Sequence, residues 1–119
     1  MAGRIPEVHS LEAAVQAVIR QNIACGYRPV RFIQKTQKGN APTDDLITNL
    51  TNLVRNNTAQ AVVSEAIQRY PKLLTIEDFL QYDDWALAWG FSCSVADQAR
   101  LAVRRYDRQA GHVRWERAH

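Results

Sequence analysis

Ser10 opens a stretch in which Leu11, Ala14, Val15, Val18 and Ile19 recur at intervals of three and four, and Gly26 closes it. A serine just outside the first apolar residue can accept the orphan N–H groups of a helix start, and a glycine just past the last adopts left-handed backbone without steric cost. This start, stripe and stop constrains the fold most, because each apolar stripe must be buried against another element. The pattern repeats. Thr43-Asp44-Asp45 precedes Leu46, Ile47, Leu50, Leu53 and Val54. After the Asn56-Asn57 break, Thr58 precedes Ala61, Val62, Ala66 and Ile67, with Tyr70-Pro71 as the stop. Ser94 precedes Val95, Ala99, Ala102, Val103 and Tyr106, with Gly111 as the stop.

Shorter segments fill the gaps. Pro29 suits the first position of a short helix ending near Gly39, although Val30, Phe32 and Ile33 fit a strand equally well. Thr75-Ile76-Glu77-Asp78 is a capping box with Asp in place of Glu, leading into Phe79 and Leu80. Asp83 and Asp84 start a further piece that holds Trp85, Leu87 and Trp89 and stops at Gly90. The expectation is one all-α domain over residues 1–119, a compact orthogonal bundle of about six helices. Residues 1–9 and 112–119 fall outside the pattern and are expected to fray, the second with the alternative of a short extended segment laid along the body.

At 46% hydrophobic and 23% charged the chain is too apolar to stay disordered, and its five Gly and four Pro sit at punctuation points. Cys25 and Cys93 stand far apart without partner pairs and are expected to be reduced, packed thiols, so neither a disulfide framework nor a zinc ribbon is signalled. No metal and no cofactor is expected. Residues 1–10 lack the apolar stretch of a secretory signal, and no apolar run approaches the roughly 20 residues that span a bilayer. A cytoplasmic location without membrane attachment is the corresponding expectation.

Charge is strongly blocked. Residues 1–40 carry six cations against two anions, residues 41–72 three against three, residues 73–97 none against five, and residues 98–119 six against two. Arg28, Arg31, Lys35 and Lys38 recur at helical spacing, as do Arg100, Arg104 and Arg108. Such stripes match a phosphate backbone, and Arg31, Lys35, Arg100, Arg104 and Arg108 are the candidate nucleic-acid contacts if their two helices lie side by side. A basic stripe is also how an amphipathic helix is solvated, and that reading carries more weight.

Tyr82, Trp85 and Trp89 form the densest aromatic cluster, with Phe91 beyond the stop. Core packing is the favoured reading, an exposed partner-binding patch the other. Glu77, Tyr82, Asp83, Asp84 and Trp85 are the candidate partner contacts. Of enzyme chemistry there is no glycine-rich phosphate loop, no histidine pair at metal spacing and no serine elbow, and His9, His112 and His119 all lie near the ends. An enzyme is the less favoured expectation.

Tyr27-Arg28-Pro29-Val30-Arg31-Phe32-Ile33-Gln34 resembles the Tyr-x-Pro-x-Arg-Phe-x-Gln opening of an uncharacterised bacterial helical accessory domain. Leu74-Thr75-Ile76-Glu77-Asp78-Phe79 and Ala99-Arg100-Leu101 are similar to its later blocks, so the resemblance spans about residues 22–107. It implies a module without assigned activity, met alone or attached to bacterial DNA-processing and defence-type proteins, and suits a mobile gene cassette. The expected function is a non-enzymatic interaction module that binds a protein or self-associates, its acid block meeting the basic stripes of a second copy. The alternative is a nucleic-acid-binding accessory protein. A small-molecule binder, marked by a closed pocket holding polar groups, is the third.

Overall fold

The computed structural model describes residues 2–39 and 41–118; Met1, Asn40 and His119 lie outside the described residues. Helix α1 (Leu11–Ala24) begins where Ser10 Oγ accepts the Ala13 N–H at 3.1 Å, and it buries Leu11, Ala14, Val15, Val18 and Asn22. Helix α2 (Val30–Thr36) starts one residue after Pro29 and gives way to a two-residue strand, β2 (Gln37–Lys38), paired antiparallel with β3 (Ala41–Pro42). Val30, Phe32 and Ile33, whose spacing fitted either period, all lie in the helix, which ends at Thr36 rather than near Gly39.

Helix α3 (Leu46–Val54) follows Asp45, and α4 (Asn57–Arg69) follows Asn56. Two starts differ from expectation. Asn56, not Thr58, caps α4, its side chain accepting the Ala59 N–H at 3.0 Å, so the residue that breaks one helix begins the next. Ser92, not Ser94, caps α7 (Cys93–Ala110) through the Val95 N–H at 3.3 Å. Between them lie α5 (Ile76–Leu80) and α6 (Asp83–Ala88). The capping box of α5 is complete: Thr75 Oγ1 accepts the Asp78 N–H, and Asp78 Oδ2 accepts the Thr75 N–H at 2.8 Å. Gly111 ends α7 in left-handed backbone, φ +81°.

The described residues thus form seven helices and four very short strands, a mostly helical fold. The shortest helix stands at its centre. Every residue from Leu73 to Leu80 is buried, and α5 packs on α7, α6 and α1. The long α7 also packs on α4 and α3, whereas α2 packs chiefly on α3. One core cluster gathers α1, α3, α5, α6 and the first half of α7; a smaller one joins Ile67, Leu73, Ala102 and Tyr106.

Both terminal segments hold a short strand among the described residues. Strand β1 (Gly3–Ile5) pairs in parallel with β4 (Trp115–Arg117), Gly3 opposite Trp115 and Ile5 opposite Arg117, and Ile5 is buried. A Cβ on Gly3 would stand 2.6 Å from the Trp115 ring, so only glycine lets the indole lie so close. What holds β4 down is Arg114, 0% exposed. Its Nη2 donates to Asp78 Oδ1 at 2.8 Å and Oδ2 at 3.1 Å, and its Nη1 donates to the Leu73 carbonyl at 2.9 Å. Asp107 Oδ1 lies 3.2 Å from its Nε, and the Tyr106 ring faces its guanidinium. Of the two cysteines, both free, Cys25 is half-buried while Cys93, at the first turn of α7, is exposed rather than packed.

Replacing Arg114 with Met strands the Asp78 carboxylate in the interior. A loss of about 3–5 kcal/mol in urea unfolding is expected. The double variant Arg114→Met with Asp78→Asn, which removes both charges, should recover part of that loss.

Candidate functional site

Consecutive residues of a helix point about 100° apart, so Glu77 and Asp78 on α5 face different neighbours. Asp78 faces Arg114. Glu77, 5% exposed, faces a cavity of about 250 Å³ that runs between α1, α2, α3, α4 and α7. Its Oε2 accepts the Tyr106 hydroxyl at 2.9 Å. Two further buried polar side chains stand on the wall: Thr75, engaged with Asp78, and Asn22, whose Oδ1 accepts the Leu74 N–H at 2.9 Å and leaves its amide nitrogen as a donor. Val18, Phe32, Leu53, Val63, Ala66 and Leu74 supply apolar walls. Exposed Arg31 and Val62 line it too, at the solvent side.

Burial pushes the Glu77 carboxyl up to about 7, and the neighbouring Asp78 charge adds to the rise. Its own backbone N–H, the Tyr106 hydroxyl and Arg114 pull the other way. The Tyr106 hydroxyl is itself raised, first by burial and then by the Glu77 charge. For Asp78, burial raises the carboxyl while Arg114 and the Thr75 hydrogen bonds oppose it. A carboxylic acid shifted toward neutrality at the end of an apolar cavity is the physical mark of a binding or catalytic position.

The expected partner contacts are placed otherwise than on one open patch. Glu77 and Trp85 are buried, Tyr82 is half-buried, and only Asp83 and Asp84 are exposed. Asp83 pairs with Arg100 at 3.0 Å and Asp84 with Arg117 at 2.7 Å. The Arg117 guanidinium lies 3.5 Å from the Trp85 ring centre, covering the aromatic cluster that Phe79, Tyr82, Trp85 and Trp89 build by ring contacts. Most of the acid block is therefore neutralised within the chain.

The basic residues separate into two groups. Arg100 is held by Asp83, Asp97 and the Gln81 carbonyl. Arg104 and Arg108 stand exposed on α7, and Arg31 and Lys35 exposed on α2, in helices whose principal packing neighbours differ. Among the described residues no group of three or more His, Cys, Asp or Glu could hold a metal ion, and no helix is long and apolar enough to cross a membrane.

Asn22, Arg114 and Arg117 escaped the sequence reading, and Tyr106 entered it only as core. The available signal was the run from Leu73 to Leu80: five apolar residues enclosing two acids, in a stretch devoid of lysine and arginine up to Asp97.

No family model, no curated protein and no solved structure matches the chain. The resemblance to the helical accessory domain is thus carried by its short motifs alone. Tyr27, Pro29, Arg31 and Phe32 of the first motif all line the cavity, as do Leu74 to Glu77 of the second.

The raised Glu77 value has a definite sign for stability. Between pH 4.5, its ordinary value, and about 7 the folded state holds a proton that the unfolded chain has released. Stability therefore falls as pH rises through this window, by about 3 kcal/mol at roughly 1.4 kcal/mol per unit. Urea midpoints between pH 5 and 8 should show this fall in the natural chain and a markedly flatter profile in Glu77→Gln.

Proposed function

We propose that this chain is a non-enzymatic, small-ligand-binding helical domain, with the ligand seated between α1, α2 and α4 and its polar end toward Glu77. The observation that carries the reading is the cavity itself: apolar walls around the buried polar side chains of Glu77, Asn22 and Thr75, with the Tyr106 hydroxyl beside the acid. A domain core of this size normally closes such space, because unfilled volume forfeits dispersion contacts and costs stability. Retaining it around an acid has a purpose if a molecule of complementary shape fills it. The volume exceeds the 150 Å³ or so of apolar cavities that admit benzene, so fragments of about that size or somewhat larger fit.

Filling the cavity from within tests this. Ala66 lies half-buried on the wall, and Ala66→Phe should occupy the space with little change in thermal midpoint. Screened by NMR, small aromatic and aliphatic fragments should shift Val18, Phe32, Val63 and Tyr106 signals in the natural chain and bind about tenfold or more weakly to Ala66→Phe. A screen with no fragment mapping to these residues rules the reading out.

One further observation favours a second reading. Leu101, Arg104 and Arg108 share a face of α7, all exposed, with Leu101 61% accessible and neither arginine in an ion pair among the described residues. An exposed leucine one turn before the first of two guanidiniums without ion pairs suits an anionic macromolecular partner, nucleic acid included. Labelled DNA or RNA should then be retarded at low salt and released by Arg104→Glu with Arg108→Glu. The charge motive for self-association is weaker, because Asp78, Asp83, Asp84 and Asp97 already have arginine partners in their own chain.

A further inference from the structure

We propose that the cavity selects small apolar amines, an alkyl- or arylalkylammonium whose nitrogen meets the Glu77 carboxylate beside the Tyr106 hydroxyl; this rests on the ligand-binding reading above. Charge bookkeeping in the interior leads to it. Glu77, Asp78 and Asp107 surround one guanidinium, Arg114. Asp78 holds that guanidinium through both oxygens, the Leu73 carbonyl takes Nη1 and Asp107 lies 3.2 Å from its Nε, so its positive charge is already shared between two other carboxylates. What remains for Glu77 is its own backbone N–H and the Tyr106 hydroxyl, which donate hydrogen bonds but bring no positive charge. The buried group is thus short of cation, and the cavity leads from solvent to Glu77, a buried carboxyl without an ion pair among the described residues.

The three ligand classes separate on this geometry. An ammonium supplies the missing charge and makes a charge-assisted hydrogen bond in a medium of low dielectric, the strong kind. A neutral alcohol of the same shape gains the apolar contacts and one ordinary hydrogen bond. A carboxylate is repelled by Glu77 and Asp78, and exposed Arg31 is too solvated to compensate. The charged and titratable groups around Glu77 are Asp78 on its own helix, Tyr106 from α7, and Arg114 from the segment before β4; Asn22 of α1 is uncharged and Arg31 of α2 is exposed. Loss of the Glu77 proton creates the charge that the ammonium meets, so amine binding is coupled to that proton.

The probes are phenethylamine, 2-phenylethanol and 3-phenylpropionate, matched in their apolar part and titrated calorimetrically and by NMR against the full chain at pH 8 and pH 5.5. At pH 8 the amine is expected to bind about tenfold or more tightly than the alcohol, with the acid weakest. At pH 5.5 the amine should lose about tenfold while the alcohol holds steady. Glu77→Gln retains an acceptor for Tyr106 and should reduce the amine to the level of the alcohol; should that variant not fold, the pH dependence of the natural chain decides. Equal binding of alcohol and amine, or an amine preference that survives in folded Glu77→Gln, overturns the amine proposal and leaves a general apolar site. If neither these probes nor any fragment shifts the signals of cavity residues, the ligand-binding reading falls, and the amine proposal with it.

Discussion

A guanidinium with no exposed surface needs partners for the donors it brings out of water, and both terminal nitrogens of Arg114 find them, while its Nε, without a hydrogen bond, has only the Asp107 charge nearby. Asp78 on α5 takes two of its N–H groups, the Leu73 carbonyl takes another, and Asp107 with the Tyr106 ring flanks it from α7. Asp78 is at the same time the reciprocal member of the α5 capping box. One ion pair therefore ties a helix start, the latter half of the longest helix and the strand that closes the fold. Such a pair adds little net stability over an apolar replacement, since desolvation offsets most of its attraction. Its effect is positional: it sets how α5 is rotated and hence which way Glu77 looks.

Two adjacent acids on one short helix consequently have opposite fates. Asp78 is surrounded by donors and a cation, whereas Glu77 has a hydroxyl and apolar walls. Burial raises both carboxyls, but at Asp78 a guanidinium and the Thr75 hydrogen bonds oppose the rise directly, while Glu77 has the weaker help of a hydroxyl and its own backbone N–H. The cavity lies where the smaller core cluster, around Ile67 and Tyr106, meets the larger one around α1 and α5.

Much of the helical frame was legible from local signals. Ser10, Gly26, the Thr75 box and Gly111 each mark their elements, and the inward face of α7 follows from Val95, Ala99, Ala102, Val103 and Tyr106. Where several capping residues stood together, as at Asn56 to Thr58 or Ser92 to Ser94, the choice turned on which side chain reaches the third amide, a matter of backbone geometry rather than residue type. The site was less legible. Asp78 and Arg114 are 36 residues apart and belong to segments that look solvated, one a charged helix start and the other an arginine-rich tail. Periodicity carries no information about such a pair, because burial of an ion depends on who arrives opposite it. The terminal segments were illegible for the same reason: β1 and β4 lack any pattern of their own, and the second, for which an extended segment along the body was the alternative to fraying, is held by Arg114, Trp115 and Arg117 docking on the body.

Pairing Gly3 with Trp115 joins positions more than a hundred residues apart. Contacts of that separation require the largest loop closure and are disfavoured until much of the intervening chain has found its place. In kinetic terms, local helices with intrinsic caps, α1, α4 and α7 among them, are suited to form early, while the clasp that delivers Arg114 to Asp78 belongs late. Until it closes, the central segment from Leu73 to Leu80 must gather its apolar neighbours around two acids that have no cation. The latest step in building this fold is thus also the one that commits its interior charge.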